Sequence, residues 1–270
     1  MSFSFSISLN TVYLFPVLFL FFGAHVLKFI RFALVLLEER KLSFFDVLFL
    51  YVRTTLVNLI IPFKIGELYR VADVKHMTGS FKTGILLVVI DRFFDTLALL
   101  TLTLPFEILF LREADPVLGI LFAALILLFI CYLSYVPSFR YMNKYLITKK
   151  RSKRAMVLLD ILDKANEWYL FLRKLIRGRS PLVFLSSLFG WIMEFAALKL
   201  FAASLGSAFD IDAFIRYINS LLSGGKNPVG TAYNTMGIII FVILTVVLFI
   251  SSTGRRKSPD TVKERNGALL

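Results

Sequence analysis

The sequence predicts an all-α, polytopic membrane protein, and three observations lead to that class. Hydrophobic residues make up 58% of the 270 residues, and the mean hydropathy is +0.78. The apolar residues are gathered into runs, several of them near the ~20 residues that a helix needs to cross the hydrocarbon core of a bilayer. The net charge of +13 is concentrated in a few segments. Such basic segments orient a membrane protein and do not by themselves indicate a nucleic-acid surface.

We expect about five full spans, which together form a single transmembrane domain over residues 1–252. Each is an apolar run of membrane-spanning length bounded by polar residues or proline. The predicted spans are Thr11–Leu37, Gly84–Leu104, Pro116–Val136, Pro181–Leu205 and Thr231–Ser252.

The charged residues of the first span have a simple explanation. Lys28 and Arg31 lie near its end, and we expect them to extend toward the lipid headgroups with their stems along apolar surface. His25 is expected to pack in the core. No basic residue precedes the span, whereas Arg40 and Lys41 follow it. The positive-inside rule therefore places the N-terminus outside the cytoplasm.

The stretch between the first two spans is predicted to enter and leave the membrane on the same side. The apolar run Phe44–Ile61 stops at Pro62, which lacks an amide hydrogen and cannot continue a regular helix. Basic residues flank the stretch on both sides, which favours a cytoplasmic location for both ends. A re-entrant hairpin that turns near Pro62–Gly66 satisfies this rule. The segment Ala213–Gly230 can be its counterpart from the outside, as in transporters built from inverted repeats.

Residues 137–180 form a strongly basic excursion, which we expect in the cytoplasm. Apolar residues recur in it at helical spacing from Leu158 to Ile176 and predict an amphipathic helix. That helix lies either on the membrane surface against anionic lipid or on the underside of the protein. The basic tail, residues 253–270, is predicted to be disordered and cytoplasmic.

The predicted hairpin and the span after it carry ionisable residues that an apolar environment does not explain. Glu67 and Arg70 follow the break, and Asp91, Arg92 and Asp95 lie within five positions of the next span. An ionisable residue in hydrocarbon costs roughly 2.5–3.5 kcal/mol on insertion scales, so it persists where it pairs or functions. Asp91 and Asp95 share one helix face, with Arg92 within reach of Asp95.

We predict that these residues belong to one polar cluster that binds a lipid headgroup. An arginine stays charged when buried and holds phosphate with a planar fork, which makes Arg53, Arg70 and Arg92 candidate ligands. The acids would neutralise them in the empty site or bind a coupling cation or proton. A structural ion-pair network that fixes the hairpin is the alternative. The predicted cluster comprises Arg53, Asn58, Pro62, Gly66, Glu67, Arg70, Asp91, Arg92, Asp95 and Glu194.

The order and spacing of these residues resemble the flippase-like membrane domain family, known from the lysylphosphatidylglycerol synthetase (multiple peptide resistance factor) transmembrane region. Its members show an asparagine, then Pro-x-x-x-Gly-Glu-x-x-Arg, a glycine, and an arginine and an aspartate in the following span. The matching positions are Asn58, Pro62, Gly66, Glu67, Arg70, Gly79, Arg92 and Asp95. The family's second half usually has an acidic residue after a Pro-Gly-Gly-like turn, and Gly224–Asn234 contains none.

The resemblance implies a multi-pass protein of the inner or plasma membrane that binds or flips an anionic lipid. The lipid is a phospholipid or a polyprenyl-phosphate carrier. Because the family's aminoacyl-transferase domain does not follow, lysine transfer is not expected, and neither is a cofactor, a metal or a catalytic residue. The expected partner is the lipid, with a homo-oligomer or a partner from lipid or glycan synthesis as further possibilities.

Two other functions remain open on sequence grounds. In the first, the chain is a non-transporting accessory protein of lipid or glycan synthesis, and its buried charges are structural. In the second, Asp210 and Asp212 hold a metal in a membrane glycosyltransferase. A helix N-cap explains Asp210 more simply, so we expect that the chain is not an enzyme.

Overall fold

Nine α-helices make up the regular structure of the described part of the chain. The structure is a computed structural model that describes residues 11–36, 43–61, 66–111, 116–149, 153–223 and 227–256. A 3₁₀ turn, Thr11–Tyr13, precedes the first helix, and a π-helical turn, Glu107–Leu111, follows the fourth. The helices are α1 Leu14–Leu36, α2 Phe44–Ile60, α3 Gly66–Thr78, α4 Phe81–Phe106, α5 Pro116–Lys149, α6 Lys153–Ile176, α7 Ser180–Ser204, α8 Ile211–Ser223 and α9 Pro228–Arg256. The predicted all-α class is confirmed.

Four of these helices, α1, α5, α7 and α9, are long and apolar enough to cross a membrane. The chain is therefore a multi-pass membrane protein, with four candidate spans where the sequence predicted about five. The difference is α4, whose apolar stretch carries three ionisable residues, Asp91, Arg92 and Asp95. Its 26 residues would nevertheless reach about 39 Å, more than the ~30 Å of hydrocarbon. A crossing by α4 stays a prediction.

Helices α1 and α7 pack against each other in antiparallel directions. Near one end, Arg179 donates a hydrogen bond to the carbonyl oxygen of Leu34, 2.8 Å away. Further along, Gly190 lies close to Ala24, which is 1% exposed. Small residues at such an interface allow two backbones to approach closely. This packing points the polar residues of α1 toward α4 and α7.

Helices α2 and α3 form the antiparallel hairpin that the break at Pro62 suggested. Asn58, near the end of α2, bonds to Glu67 at the start of α3, and Arg53 in mid-α2 bonds to Asp73 further along α3. Residues 62–65, and Pro62 with them, lie outside the described residues. Two separate helices with a break between them match the expectation. Whether the hairpin is re-entrant stays a prediction.

Helix α8 and the start of α9 form a second hairpin. The hydroxyl of Tyr217 on α8 lies 3.4 Å from Oδ1 of Asn234 on α9, and Tyr217 also contacts Gly230. Both hairpins border the cavity described below. This arrangement is compatible with the inverted repeat that the sequence suggested, which stays a prediction.

Helices α5 and α6 differ from the expected boundaries. The predicted span ended at Val136, but α5 continues through Pro137 to Lys149. A proline inside a membrane helix is tolerated where local adjustments or neighbouring groups satisfy the freed carbonyl. Helix α6 contains the predicted amphipathic segment and contacts the protein through the stacked rings of Tyr135 and Tyr169, 4.5 Å apart. Residues 257–270 of the predicted tail lie outside the described residues.

Candidate functional site

A cavity of about 330 Å³ lies between the two hairpins and helices α1, α4 and α7. Its wall combines charged side chains with aromatic rings. The charged residues are Lys28, Arg31, Glu67, Arg70, Asp91, Arg92, Asp95 and Glu194, and the other polar or aromatic ones include His25, Tyr51, Thr55, Asn58, Trp191, Tyr217, Ser220, Tyr233 and Asn234. Ligand cavities in proteins usually measure about 300–1,000 Å³, so this one can hold a small polar group.

Arg31 of α1 is buried at the centre of this wall. Its Nε lies 2.7 Å from Oδ1 of Asp91, and its Nη1 lies 2.6 Å from Oδ1 of Asp95. The same Nη1 donates a hydrogen bond to Ser187 of α7, 3.0 Å away. Arg31 is only 3% exposed. The expectation that it extends to the headgroups is therefore wrong, because two buried carboxylates on α4 hold it in the interior.

Lys28, one turn before Arg31, also differs from the expectation. Its ammonium forms an ion pair with Glu194 of α7 and lies 5.2 Å from the ring centre of Trp191. Its side chain is 19% exposed, and Glu194 is buried. Lys28 therefore neutralises the acid of α7 inside the cavity and does not reach toward lipid headgroups.

Arg70 of α3 and Arg92 of α4 approach the same carboxylates from the other side. Oδ2 of Asp91 lies 2.8 Å from Arg70 Nη1 and 2.9 Å from Arg92 Nη2. Arg92 Nη1 lies 3.4 Å from Oδ2 of Asp95. Asp91 thus contacts three arginines and is the centre of the cluster.

Glu67 bridges two of these arginines. One of its oxygens, Oε2, lies 3.3 Å from Arg70 Nη1, and the other, Oε1, lies 3.1 Å from Arg92 Nη2. Asn58 donates a hydrogen bond from Nδ2 to the same Oε1, 3.2 Å away. Each oxygen of this one carboxylate therefore contacts a different guanidinium.

Gly66 allows Asn58 to reach Glu67. A Cβ on Gly66 would lie 2.2 Å from Oδ1 and 2.9 Å from Cα of Asn58. No ordinary side chain fits at that distance from a helix backbone. The glycine of the motif is thus required by the close approach of α2 to the start of α3.

Aromatic side chains cover the remaining wall. His25 shares a hydrogen bond of 3.1 Å with the hydroxyl of Tyr51, and its ring packs against Phe21 and Phe241. Trp191 donates a hydrogen bond from Nε1 to the backbone oxygen of Asp95, 3.2 Å away. These contacts fix the rings around the charged cluster and give the cavity an apolar surround.

The charges of the described residues that line the cavity balance. Four cations, Lys28 and the three arginines, face four carboxylates, and each carboxylate lies within 3.4 Å of at least one cation. Pairing of this kind is needed because an uncompensated ion in the interior costs several kcal/mol. Any charged ligand that enters must therefore replace one of these contacts or bring its own counter-charge.

The structure brings most of the predicted residues together. Seven of them line the cavity, namely Asn58, Glu67, Arg70, Asp91, Arg92, Asp95 and Glu194. Gly66 supports Asn58 from outside the lining, and Pro62 lies outside the described residues. Arg53 is the exception, because it pairs with Asp73 and lies over the rings of Phe49 and Tyr69. It is not among the residues that line the cavity.

Sequence reasoning missed Arg31, Lys28 and the aromatic wall. One signal could have indicated the two cations. The predicted spans contain three acids, Asp91, Asp95 and Glu194, and four cations, Lys28, Arg31, Arg92 and Lys199. Pairing the acids with cations from the spans would have made Lys28 and Arg31 candidate partners. No comparable signal identifies Tyr217 or Tyr233, whose rings enter through α8 and α9.

Asp210, just before α8, and Asp212, in the first turn of α8, make contacts with nearby residues. Oδ1 of Asp210 accepts a hydrogen bond from the backbone N–H of Ala213, 2.8 Å away, as a residue that caps a helix does. Asp212 pairs with Arg216 on the exposed side of α8. Within the described ranges, no three His, Cys, Asp or Glu side chains are grouped as metal ligands would be. These contacts support the N-cap interpretation of Asp210.

The geometry of the cluster suits a phosphate. Guanidinium groups hold phosphate oxygens with paired hydrogen bonds and keep their charge when buried. Arg92 is the most accessible arginine of the cavity, with 31% of its side chain exposed, whereas Arg31 and Arg70 are almost fully buried. A ligand that enters the cavity would thus meet Arg92 before the deeper pair.

Comparison with known proteins identifies the family of the chain. The family model described as Lysylphosphatidylglycerol synthase TM region matches residues 6–225. This range includes the cavity-lining residues of helices α1 to α8, and those of α9 follow it. No transferase domain is detected in the 270 residues. No curated protein and no solved structure shows a match to the chain. The match covers most of the sequence, and the chain therefore belongs to the Lysylphosphatidylglycerol synthase TM region family.

Proposed function

We propose that this membrane protein binds the headgroup of an anionic lipid in the charged cavity and moves it across the bilayer. One observation carries the proposal. Three arginines, Arg31, Arg70 and Arg92, converge on one cavity inside a protein whose surroundings are apolar. Buried arginines are costly in a membrane unless they pair or function, and phosphate is the ligand that they bind best.

The architecture supports transport as well as binding. Two helical hairpins with breaks, α2–α3 and α8–α9, border the cavity. In many transporters such broken helices flank the substrate site, and relative motion of the two halves exposes it to each side in turn. We propose the same role for these hairpins, with α4 as a fifth crossing and α2–α3 re-entrant from the cytoplasm. The residues 1–252 would form one such transport domain.

The topology belongs to the same proposal. The N-terminus lies outside, and the C-terminal tail and the 137–180 excursion lie in the cytoplasm, because the basic residues cluster there. The membrane is the inner or plasma membrane. In this orientation the basic excursion would face the anionic lipids of the cytoplasmic leaflet.

A transport assay in liposomes tests the proposal. The purified protein is reconstituted with phosphatidylglycerol that carries a fluorescent label on an acyl chain, so that the headgroup is unchanged, and a membrane-impermeant quencher is added outside. We expect the label of both leaflets to become accessible faster than in protein-free liposomes and in liposomes with an unrelated membrane protein. Equal rates in all three, with a folded protein, would contradict the proposal.

A second function has one observation in its favour. Every carboxylate that lines the cavity already has a cation as its partner, so the cluster can be purely structural. The chain would then be an accessory protein of lipid or glycan synthesis that does not transport. A folded protein that neither retains nor moves anionic lipid, as judged by mass spectrometry of the purified sample and by the liposome assay, would favour this alternative.

A further inference from the structure

Glu67 differs from Asp91 in how it contacts Arg70 and Arg92. Its two oxygens reach two different guanidiniums, at 3.3 Å from Arg70 and 3.1 Å from Arg92. Asp91 contacts the same two arginines through a single oxygen, at 2.8 and 2.9 Å. Glu67 is therefore the more loosely held of the two anions, while Asp91 fixes the arginines in place.

The bridge that Glu67 makes has the form of a phosphate contact. A phosphodiester presents two oxygens that share one negative charge, and each can accept hydrogen bonds from a separate guanidinium. Glu67 holds two carboxylate oxygens against Arg70 and Arg92 in that way. A headgroup phosphate that binds this arginine pair must take the place of these oxygens.

The charge balance of the cavity determines what else must happen. Among the described residues that line the cavity, four cations face four carboxylates, so an added phosphate leaves these groups with one excess negative charge. Such a charge in the interior costs several kcal/mol, and a carboxylate avoids the cost by taking up a proton. The displaced Glu67 is the group in position to do so. Asn58 can still donate its hydrogen bond to the carbonyl oxygen of the neutral acid.

We propose that Glu67 is an internal substitute for the lipid phosphate, which a headgroup displaces from Arg70 and Arg92 as Glu67 takes up one proton from water. This inference rests on the proposed function, since it assigns a coupled proton to the same site. The carboxylate becomes a carboxylic acid, and no other bond changes. Anionic-lipid binding consequently weakens as the pH rises, by up to about tenfold per pH unit for one linked proton.

Other groups around the cavity set the local field for Glu67. Asp91 and Asp95 face the arginines from α4, and the Lys28–Glu194 pair lies between α1 and α7. The titratable and charged groups that line the cavity besides Glu67 are His25, Lys28, Arg31, Tyr51, Arg70, Asp91, Arg92, Asp95, Glu194, Tyr217 and Tyr233. Of the carboxylates among them, Glu67 is the one that contacts Arg70 and Arg92 through separate oxygens, whereas Asp91 contacts both through Oδ2.

The test is calorimetry of dioctanoyl phosphatidylglycerol binding to the full chain in detergent at pH 8, in two buffers with different ionisation enthalpies. The difference between the buffers gives the number of protons taken up. The wild type should take up one proton per lipid. Glu67→Gln keeps the shape but removes the charge, so it should bind at least about tenfold tighter with no proton uptake. Glu167→Gln, the same change at an exposed position of α6, should behave as the wild type.

The outcomes separate the displacement of Glu67 from the proposed lipid-binding function. Binding by the wild type without proton uptake, or unchanged or weaker binding by a folded Glu67→Gln, would overturn the inference and leave the proposed function standing. If Glu67→Gln does not fold, the proton count of the wild type alone decides. If neither protein binds the lipid, the proposed function fails together with the inference.

Discussion

Arg31 has its carboxylate partners on another helix, and both are buried. It contacts Asp91 and Asp95 at 2.7 and 2.6 Å, and its own exposure is 3%. A pair of this kind adds little net stability when it forms, but removing one partner strands the other as an uncompensated charge. The consequence for a variant is large even though the net contribution of the intact pair is small.

We expect Arg31→Ala to destabilise the protein by about 3–5 kcal/mol, because Asp91 and Asp95 then lose the buried cation that contacts them at 2.7 and 2.6 Å. Adding Asp95→Asn should recover part of the loss, since the stranded charge is removed. Thermal unfolding in detergent of the two single variants and the double variant measures this coupling. Arg140→Ala, at an exposed position of α5, is the control. Strictly additive effects of the two changes would show that the residues do not interact.

Local spacing predicted part of the site, and long-range pairing decided the rest. Glu67, Arg70, Asp91, Arg92 and Asp95 lie near one another along the chain, so their common role was visible in the sequence. Arg31 pairs with a residue 64 positions away and Lys28 with one 166 positions away. No local pattern specifies such partners. Arg53 was grouped with the headgroup ligands by its place in the sequence, but it pairs with Asp73 and is not among the described residues that line the cavity. Nearness in sequence does not tell which side of a hairpin a residue takes.

The α2–α3 hairpin positions Asn58, Glu67 and Arg70, and its packing depends on one glycine. A Cβ at Gly66 would lie 2.9 Å from Cα of Asn58, which is a backbone atom and cannot turn aside. The sequence predicted a break at this point from Pro62 alone. The close contact that requires Gly66 appears only when the two helices are packed together.

Gly66→Ala should destabilise the protein by about 1–3 kcal/mol, because the hairpin must open to admit the methyl group. The same change should weaken lipid binding, since Glu67 and Arg70 move with the start of α3. Gly119→Ala in α5 is a matched control, as nothing lies within 4 Å of a Cβ there. Thermal unfolding and lipid retention are compared for both variants. Equal behaviour of the two would contradict the account of the hairpin.

The whole molecule combines helices with very different surroundings. In the apolar stretches of α5 and α9 only 6% and 11% of the residues are buried within the protein, whereas in that of α7 the share is 44%. The apolar faces of α5 and α9 are thus available to lipid, and α1, α4 and α7 surround the charged cavity. The composition of the sequence predicted this class of protein, but the assignment of lipid-facing and cavity-facing helices depends on how the helices pack.

The predicted orientation can be checked by cysteine labelling in sealed vesicles. The exposed Cys131 is first replaced by serine. A cysteine at His76, on the exposed side of α3, should then react from the cytoplasm, and one at Pro116, at the start of α5, should react from outside, because α4 crosses between them. Reaction of both positions from the same side would show that α4 does not cross.

The transport activity of Arg92→Lys tests the central claim most directly. Lysine keeps the charge near Glu67, Asp91 and Asp95 but cannot hold a phosphate with a planar fork. We expect the variant to unfold close to the wild-type temperature and to transfer fluorescent phosphatidylglycerol in liposomes at least about tenfold more slowly. Arg53→Lys, whose arginine pairs with Asp73 outside the cavity lining, should transfer at the wild-type rate. A stable Arg92→Lys protein with wild-type transfer would contradict the claim that this arginine holds the headgroup.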